Sequence, residues 1–140
     1  MSIMDDCAGT HGKILIIEDD PDIRDVLRFQ LEQANYKVIE AANGEEAIDL
    51  MKKGSNLLQV GLILTDIRMP KINGVEAIEY IKANAPSIPI LVVTGYPDTD
   101  LAVDLLRKGV KDFLVKPVEK ETLLNKVAAI LASPQEFKYA

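Results

Sequence analysis

The chain has 140 residues, a length that fits one domain. Its 48% hydrophobic and 27% charged residues are ordinary for a globular protein, and 22 acidic against 16 basic side chains leave a net charge of -6. That balance argues against direct nucleic-acid binding, because phosphate would repel the approach. Cys7 is the single cysteine and His11 the single histidine. An intramolecular disulfide and a C-x-x-C metal motif are therefore excluded, and histidine-based catalysis is poorly supplied. No apolar run approaches the roughly 20 residues that span a bilayer. The opening MSIMDDCAGTHG lacks the basic start and apolar stretch of a secretory signal. The expected setting is cytoplasmic, with no membrane partner.

After this polar tail, five short β-branched runs alternate with helical patterns. The first strand is expected over 13–17, and Asp20 with Pro21 then opens a helix as N-cap and first residue. Ile23, Val26, Leu27, Leu31 and Ala34 fall on one face of that helix. The second strand covers 37–41. Asn43-Gly44 begins the next helix, with Glu46 as capping-box partner and Ala47, Ile48 and Met51 as its apolar stripe. A strand over 60–65 precedes a helix after Asn73-Gly74 that buries Val75, Ile78 and Ile81. The fourth strand spans 88–94. Its helix starts near Asp98, turns Leu101, Ala102 and Leu105 inward, and ends at Gly109. The last strand spans 110–115. The last helix runs from about Glu119 to Ala132 with Leu123, Leu124, Val127 and Leu131 inward, and Pro134 stops it.

Three of the strands are nearly all apolar, as parallel strands covered on both faces are. Right-handed crossovers then make this an α/β fold, a (βα)5 open parallel sheet that is doubly wound and flavodoxin-like, with strand order 2-1-3-4-5. Ligands in such sheets bind beyond the carboxyl ends of the strands, at the switch point between the first and third. Glu18-Asp19-Asp20 end the first strand, Asp66 the third, Thr94 the fourth and Lys116-Pro117 the fifth. Two carboxylates ~4 Å apart repel by about 4 kcal/mol at an effective dielectric near 20, so the crowding calls for a cation. Magnesium suits this inventory, taking one or two carboxylates, several waters and a phosphate oxygen. Thr94 can hydrogen-bond a phosphoryl oxygen, Lys116 can neutralise another, and Asp66 is placed as a carboxylate nucleophile. Asp20 reads as an N-cap rather than a ligand.

Taken together, Ile-Ile-Glu18-Asp19-Asp20-Pro21, Leu-Thr-Asp66-Ile-Arg-Met69-Pro70, Gly74, Val-Val-Thr94-Gly95 and Phe113-Leu-Val-Lys116-Pro117 resemble a bacterial two-component response-regulator receiver domain of the chemotaxis-regulator kind. The likeness covers roughly 13–132, leaving 1–12 as a disordered N-terminal tail and 133–140 as a C-terminal tail. It implies that Asp66 accepts a phosphoryl group from a phosphohistidine on a histidine kinase or histidine phosphotransfer protein. It implies Mg2+ as cofactor, held by Glu18, Asp19, Asp66 and the Arg68 backbone carbonyl. Thr94 and Lys116 would grip the phosphoryl oxygens, Phe113 would turn inward when Thr94 moves, and the Lys116-Pro117 bond would be cis. Glu18 stands where Asp is frequent in the family, and Phe113 where Tyr is frequent, which removes a hydroxyl latch. Arg68 and Tyr96 flank the phosphoryl path and are expected to hinder the hydrolytic water and lengthen the life of the acyl phosphate.

The expected function is a phosphoacceptor switch whose output face is the fourth helix, fifth strand and fifth helix. It would not be an enzyme beyond self-catalysed phosphoryl transfer to Asp66 and slow autodephosphorylation. Val103 and Leu106 lie off the Leu101/Leu105 stripe, where a downstream protein or a second copy could dock. A stand-alone regulator or relay intermediate is the first expectation and the receiver part of a longer transcription regulator the alternative. A magnesium-dependent phosphatase or nuclease ranks last, because Asp66-Ile67-Arg68 puts a cation where those folds need a second acid.

Overall fold

The computed structural model describes residues 12–53, 59–66, 74–95 and 99–132. Strands and helices alternate: β1 (Lys13–Ile17), α1 (Pro21–Gln33), β2 (Lys37–Ala41), α2 (Gly44–Lys52), β3 (Val60–Thr65), α3 (Gly74–Asn84), β4 (Ile90–Thr94), α4 (Thr99–Arg107), β5 (Asp112–Val115) and α5 (Lys120–Ala132). All five strands pair in parallel in the order β2-β1-β3-β4-β5. The fold class and strand order expected from the sequence are thus those observed. Both sequence tails, 1–11 and 133–140, lie outside the described residues.

Alternation along each strand divides the core into two layers. Ile14, Ile16, Leu62, Leu64, Leu91 and Val93 face α1 and α5, where Leu27, Leu31, Leu123 and Val127 meet them. Leu15, Ile17, Ile63, Ile90 and Val92 face the other way, onto Ala47 and Met51 of α2, Ile78 and Ile81 of α3, and Leu105 of α4. The inner strands β1, β3 and β4 are buried nearly throughout, whereas β2 at the edge is only half-buried. This is why three runs read as continuous apolar stretches.

The starts of α1 and α2 are fixed by the side chains expected to fix them. Asp20 accepts from the amides of Asp22 at 2.9 Å and Ile23 at 3.4 Å, with Pro21 in the first position. Asn43 accepts from the Glu46 amide at 2.9 Å, and Glu46 reaches back to the Ala42 amide, one residue before the cap. Gly109 closes α4 at φ +102°, a left-handed conformation that glycine adopts without strain.

Four expectations need correction. Val26 does not join the core: it is 53% exposed, beside Phe29 at 59%, because Ile23, Leu27 and Leu31 alone fill the narrow stripe over β1 and β3. In α2 the core takes Leu50 beside Ala47 and Met51, while Ile48 stays half-buried outside that cluster. The fourth strand begins at Ile90 rather than residue 88, since the Ile88 amide is committed to Ala85 in a turn. The fifth begins at Asp112 rather than residue 110, since the Val110 amide caps α4 through the Leu105 carbonyl. The α4 start near Asp98 and the Val75 side chain lie outside what is described.

These layers set the cost of truncation. Leu31→Ala, at a fully buried position, is expected to lose about 2–5 kcal/mol in chemical denaturation, whereas Val26→Thr should stay within about 0.5 kcal/mol. A comparable loss from both would contradict the narrow α1 stripe.

Candidate functional site

The strand order places β1 beside β3, so the acids ending these strands become neighbours. The ladder continues one residue past each strand. The Asp66 amide donates to the Ile17 carbonyl at 3.0 Å and the Glu18 amide to the Ala41 carbonyl at 3.1 Å. Glu18 and Asp66 are buried, at 2% and 6% exposure, and Asp19 is exposed. Glu18, Asp19 and Asp66 each offer a carboxylate oxygen within 4.8 Å of the others.

Lys116 enters from the far side of the sheet. Its amide donates to the Thr94 carbonyl at 2.9 Å, extending the β4–β5 ladder, and the Lys116-Pro117 bond is cis as expected. The ammonium lies 2.6 Å from Glu18 Oε1 and 2.7 Å from Asp66 Oδ2, donating a hydrogen bond to the latter. Burial alone would lower the Lys116 pKa, but hydrogen bonds and charge from Asp66 and Glu18 outweigh it and hold the ammonium above its ordinary value. Glu18 goes the other way for an acid. Burial pushes its carboxyl up, and the Lys116 ammonium and Asp20 amide only partly offset this. Thr94 is buried at the end of β4, and Phe113 is half-buried against the α2/α3/α4 layer.

The donor set fits a hard divalent cation. Three carboxylates gather within 4.8 Å of one another, only Glu18 and Asp66 pair with the ammonium, and Glu18 Oε1, although ion-paired, is buried with no donor aligned to it. Oxygen-only ligands of this kind suit magnesium. Of the residues expected at the site, Glu18, Asp19, Asp66 and Lys116 are brought together, while Arg68 and Tyr96 lie outside the described residues. Sequence reasoning missed Arg24, whose guanidinium donates to the Glu18 carbonyl at 2.7 Å and pairs with Glu40. The signal was available: Val38-x-Glu40 puts a charge at an inward-facing position of β2.

Comparison with known proteins agrees with this fold. Residues 14–128 match the family model described as response regulator receiver domain, and the chain belongs to that family. The transcriptional regulatory protein FixJ of Bradyrhizobium diazoefficiens is 36% identical over 114 residues, covering 81% of this chain and 54% of FixJ. A cyclic di-GMP phosphodiesterase of Thermotoga maritima is 36% identical over 118 residues, covering 84% of this chain and 30% of its own. The chain thus spans about half or less of these curated relatives. Among solved structures, a CheY-like receiver domain protein of Methanospirillum hungatei superposes with a TM-score of 0.79 at 31% identity, covering 86% of this chain and 93% of that one. Receiver domains are phosphoacceptor signalling switches that meet histidine kinases or phosphotransfer proteins, and as a family they bind magnesium in an acidic pocket.

The excess of buried negative charge has a measurable consequence. The Glu18 carboxyl is pushed up in the fold, so its ionised form costs stability at neutral pH. Glu18→Gln is expected to raise the thermal midpoint in EDTA by a few degrees, on the order of 1 kcal/mol. The same variant should gain less than wild type from added Mg2+. A lower midpoint in EDTA would mean that the Lys116 pair outweighs the desolvation.

Proposed function

We propose that Asp66 is the phosphoacceptor of this receiver domain. The observation that carries the reading is the Lys116 ammonium, 2.7 Å from Asp66 and 2.6 Å from Glu18 at the carboxyl edge of the sheet. An Asp66 carboxylate oxygen attacks the phosphorus of a phosphohistidine on a histidine kinase or phosphotransfer protein. The P–O bond forms, the P–N bond breaks, and the leaving imidazole keeps the electron pair and takes a proton. Lys116 pairs with one phosphoryl oxygen as charge moves onto the group, and Thr94 donates its hydroxyl to another. Glu18, Asp19 and Asp66 would hold Mg2+, and the Arg68 carbonyl expected as a further ligand lies outside the described residues. When bound, the ion offsets negative charge on the phosphoryl oxygens.

The switch reads out on the face built by α4, β5 and α5. Val103, Leu106 and Val115 are 43%, 47% and 52% exposed there, a surface for a downstream protein or a second copy. Phe113 turning inward with Thr94 links this face to the pocket. The chain itself does no chemistry on an outside substrate; transfer to Asp66 and slow autodephosphorylation are its own, and Arg68 and Tyr96, expected to shield the acyl phosphate, lie outside the described residues. No helix among the described residues is long and apolar enough to cross a membrane, and we place the activity in the cytoplasm, without direct nucleic-acid contact. A stand-alone regulator or relay intermediate is one reading of its output. The partial coverage of its relatives favours a second reading, the receiver part of a longer regulator.

Intact mass after incubation with acetyl phosphate tests the assignment. A single phosphoryl adduct is expected with Mg2+, labile to hydroxylamine, and lost in EDTA and in Asp66→Asn. An adduct that persists in Asp66→Asn would move the acceptor elsewhere.

A further inference from the structure

Arg24 lies one position off the buried stripe of α1, half-buried between that helix and β2. Its Nη1 donates to the Glu18 backbone carbonyl at 2.7 Å, and its Nε lies 3.4 Å from Glu40 Oε1. Glu40 is paired across the sheet with Ile16, so its side chain shares the face of Val38 and Ile16 beneath α1. An acid at that position would be costly without a partner, and Arg24 supplies one. Arg28, one turn on, reaches Glu40 Oε2 at 3.7 Å and Asp25 Oδ1 at 3.3 Å.

The Glu18 carbonyl belongs to the peptide that joins Glu18 to Asp19. The Glu18 amide is already fixed to Ala41, and the Glu18 carboxylate accepts from the Asp20 amide at 3.1 Å. The bond from Arg24 fixes the remaining backbone polar atom of this residue, and with it the plane from which the Asp19 side chain departs. A guanidinium can do this because its planar fork serves a carbonyl and a carboxylate together, whereas an ammonium is a single point. We infer that Arg24, anchored by Glu40, is a positioning residue that aims the Glu18-Asp19 pair at a divalent cation. The inference rests on reading the acidic pocket as a magnesium site.

Coulomb's law and positioning predict opposite signs. Removing a positive charge near a cation site should tighten cation binding, whereas releasing the peptide plane should weaken it. Calorimetric Mg2+ titration of the full chain separates them, at a temperature where thermal unfolding shows each metal-free variant folded. Arg24→Met is expected to bind Mg2+ about tenfold more weakly than wild type, and Arg28→Met as tightly as wild type. The Mg2+ concentration for half-maximal adduct formation should rise with Arg24→Met while the rate at saturating Mg2+ recovers. If Arg24→Met does not fold, Arg24→Lys is expected to lose affinity in the same direction by a smaller factor. Equal or tighter binding by the Arg24 variant, or an equal loss in Arg28→Met, overturns the inference. A wild type that binds no Mg2+ overturns the pocket reading together with it.

Discussion

One ammonium answers two buried carboxylates, and the rest of the functional edge is arranged around that pairing. Lys116 begins beyond β5, two strands from Asp66 and three from Glu18. At about 4.8 Å between neighbouring strands, its side chain must cross the end of β4 to reach them. Gly95 stands at that crossing, and the Lys116 stem passes over it at ordinary van der Waals distance. Topology supplies the acids as neighbours, and the length of a lysine brings in the opposing charge.

The balance is incomplete, and the imbalance is chemically useful. Three carboxylates against one ammonium leave negative charge at a buried edge, and the core layers on both faces of the sheet keep these groups from drifting apart. Glu18 carries the strain most visibly, its carboxyl pushed up by burial and one oxygen without an aligned donor. On the proposed reading a cation would relieve this, and an incoming phosphoryl group would give Lys116 a new partner. A pocket of this kind changes its pairing when it is loaded, which is the physical basis for a switch.

The fold was legible because its inner strands are continuous Val, Ile and Leu runs between capped, periodic helices. Asp20 and Asn43 cap where their sequence context said they would. The pocket was legible because four strand ends carried acid, acid, hydroxyl and lysine in the order the topology brings together. What escaped depends on contacts that spacing does not encode. Val26 has the right period for the core, yet the stripe is too narrow to admit it. Ile88 and Val110 look like strand, but their amides are taken by turns from the preceding helices. Arg24 acts on a carbonyl six residues back, and only the misplaced charge at Glu40 hints at it.

On the proposed reading, loading Asp66 transfers the Lys116 pairing and shifts Thr94, Phe113 and the α4–β5–α5 face. This is tested most directly by amide NMR of the magnesium-loaded chain on adding beryllium fluoride, a stable stand-in for a phosphoryl group. Shifts are expected at Asp66, Thr94, Gly95 and Lys116 that continue through α4 and Phe113. Shifts confined to Glu18 and Asp19, or an unchanged spectrum, would contradict it.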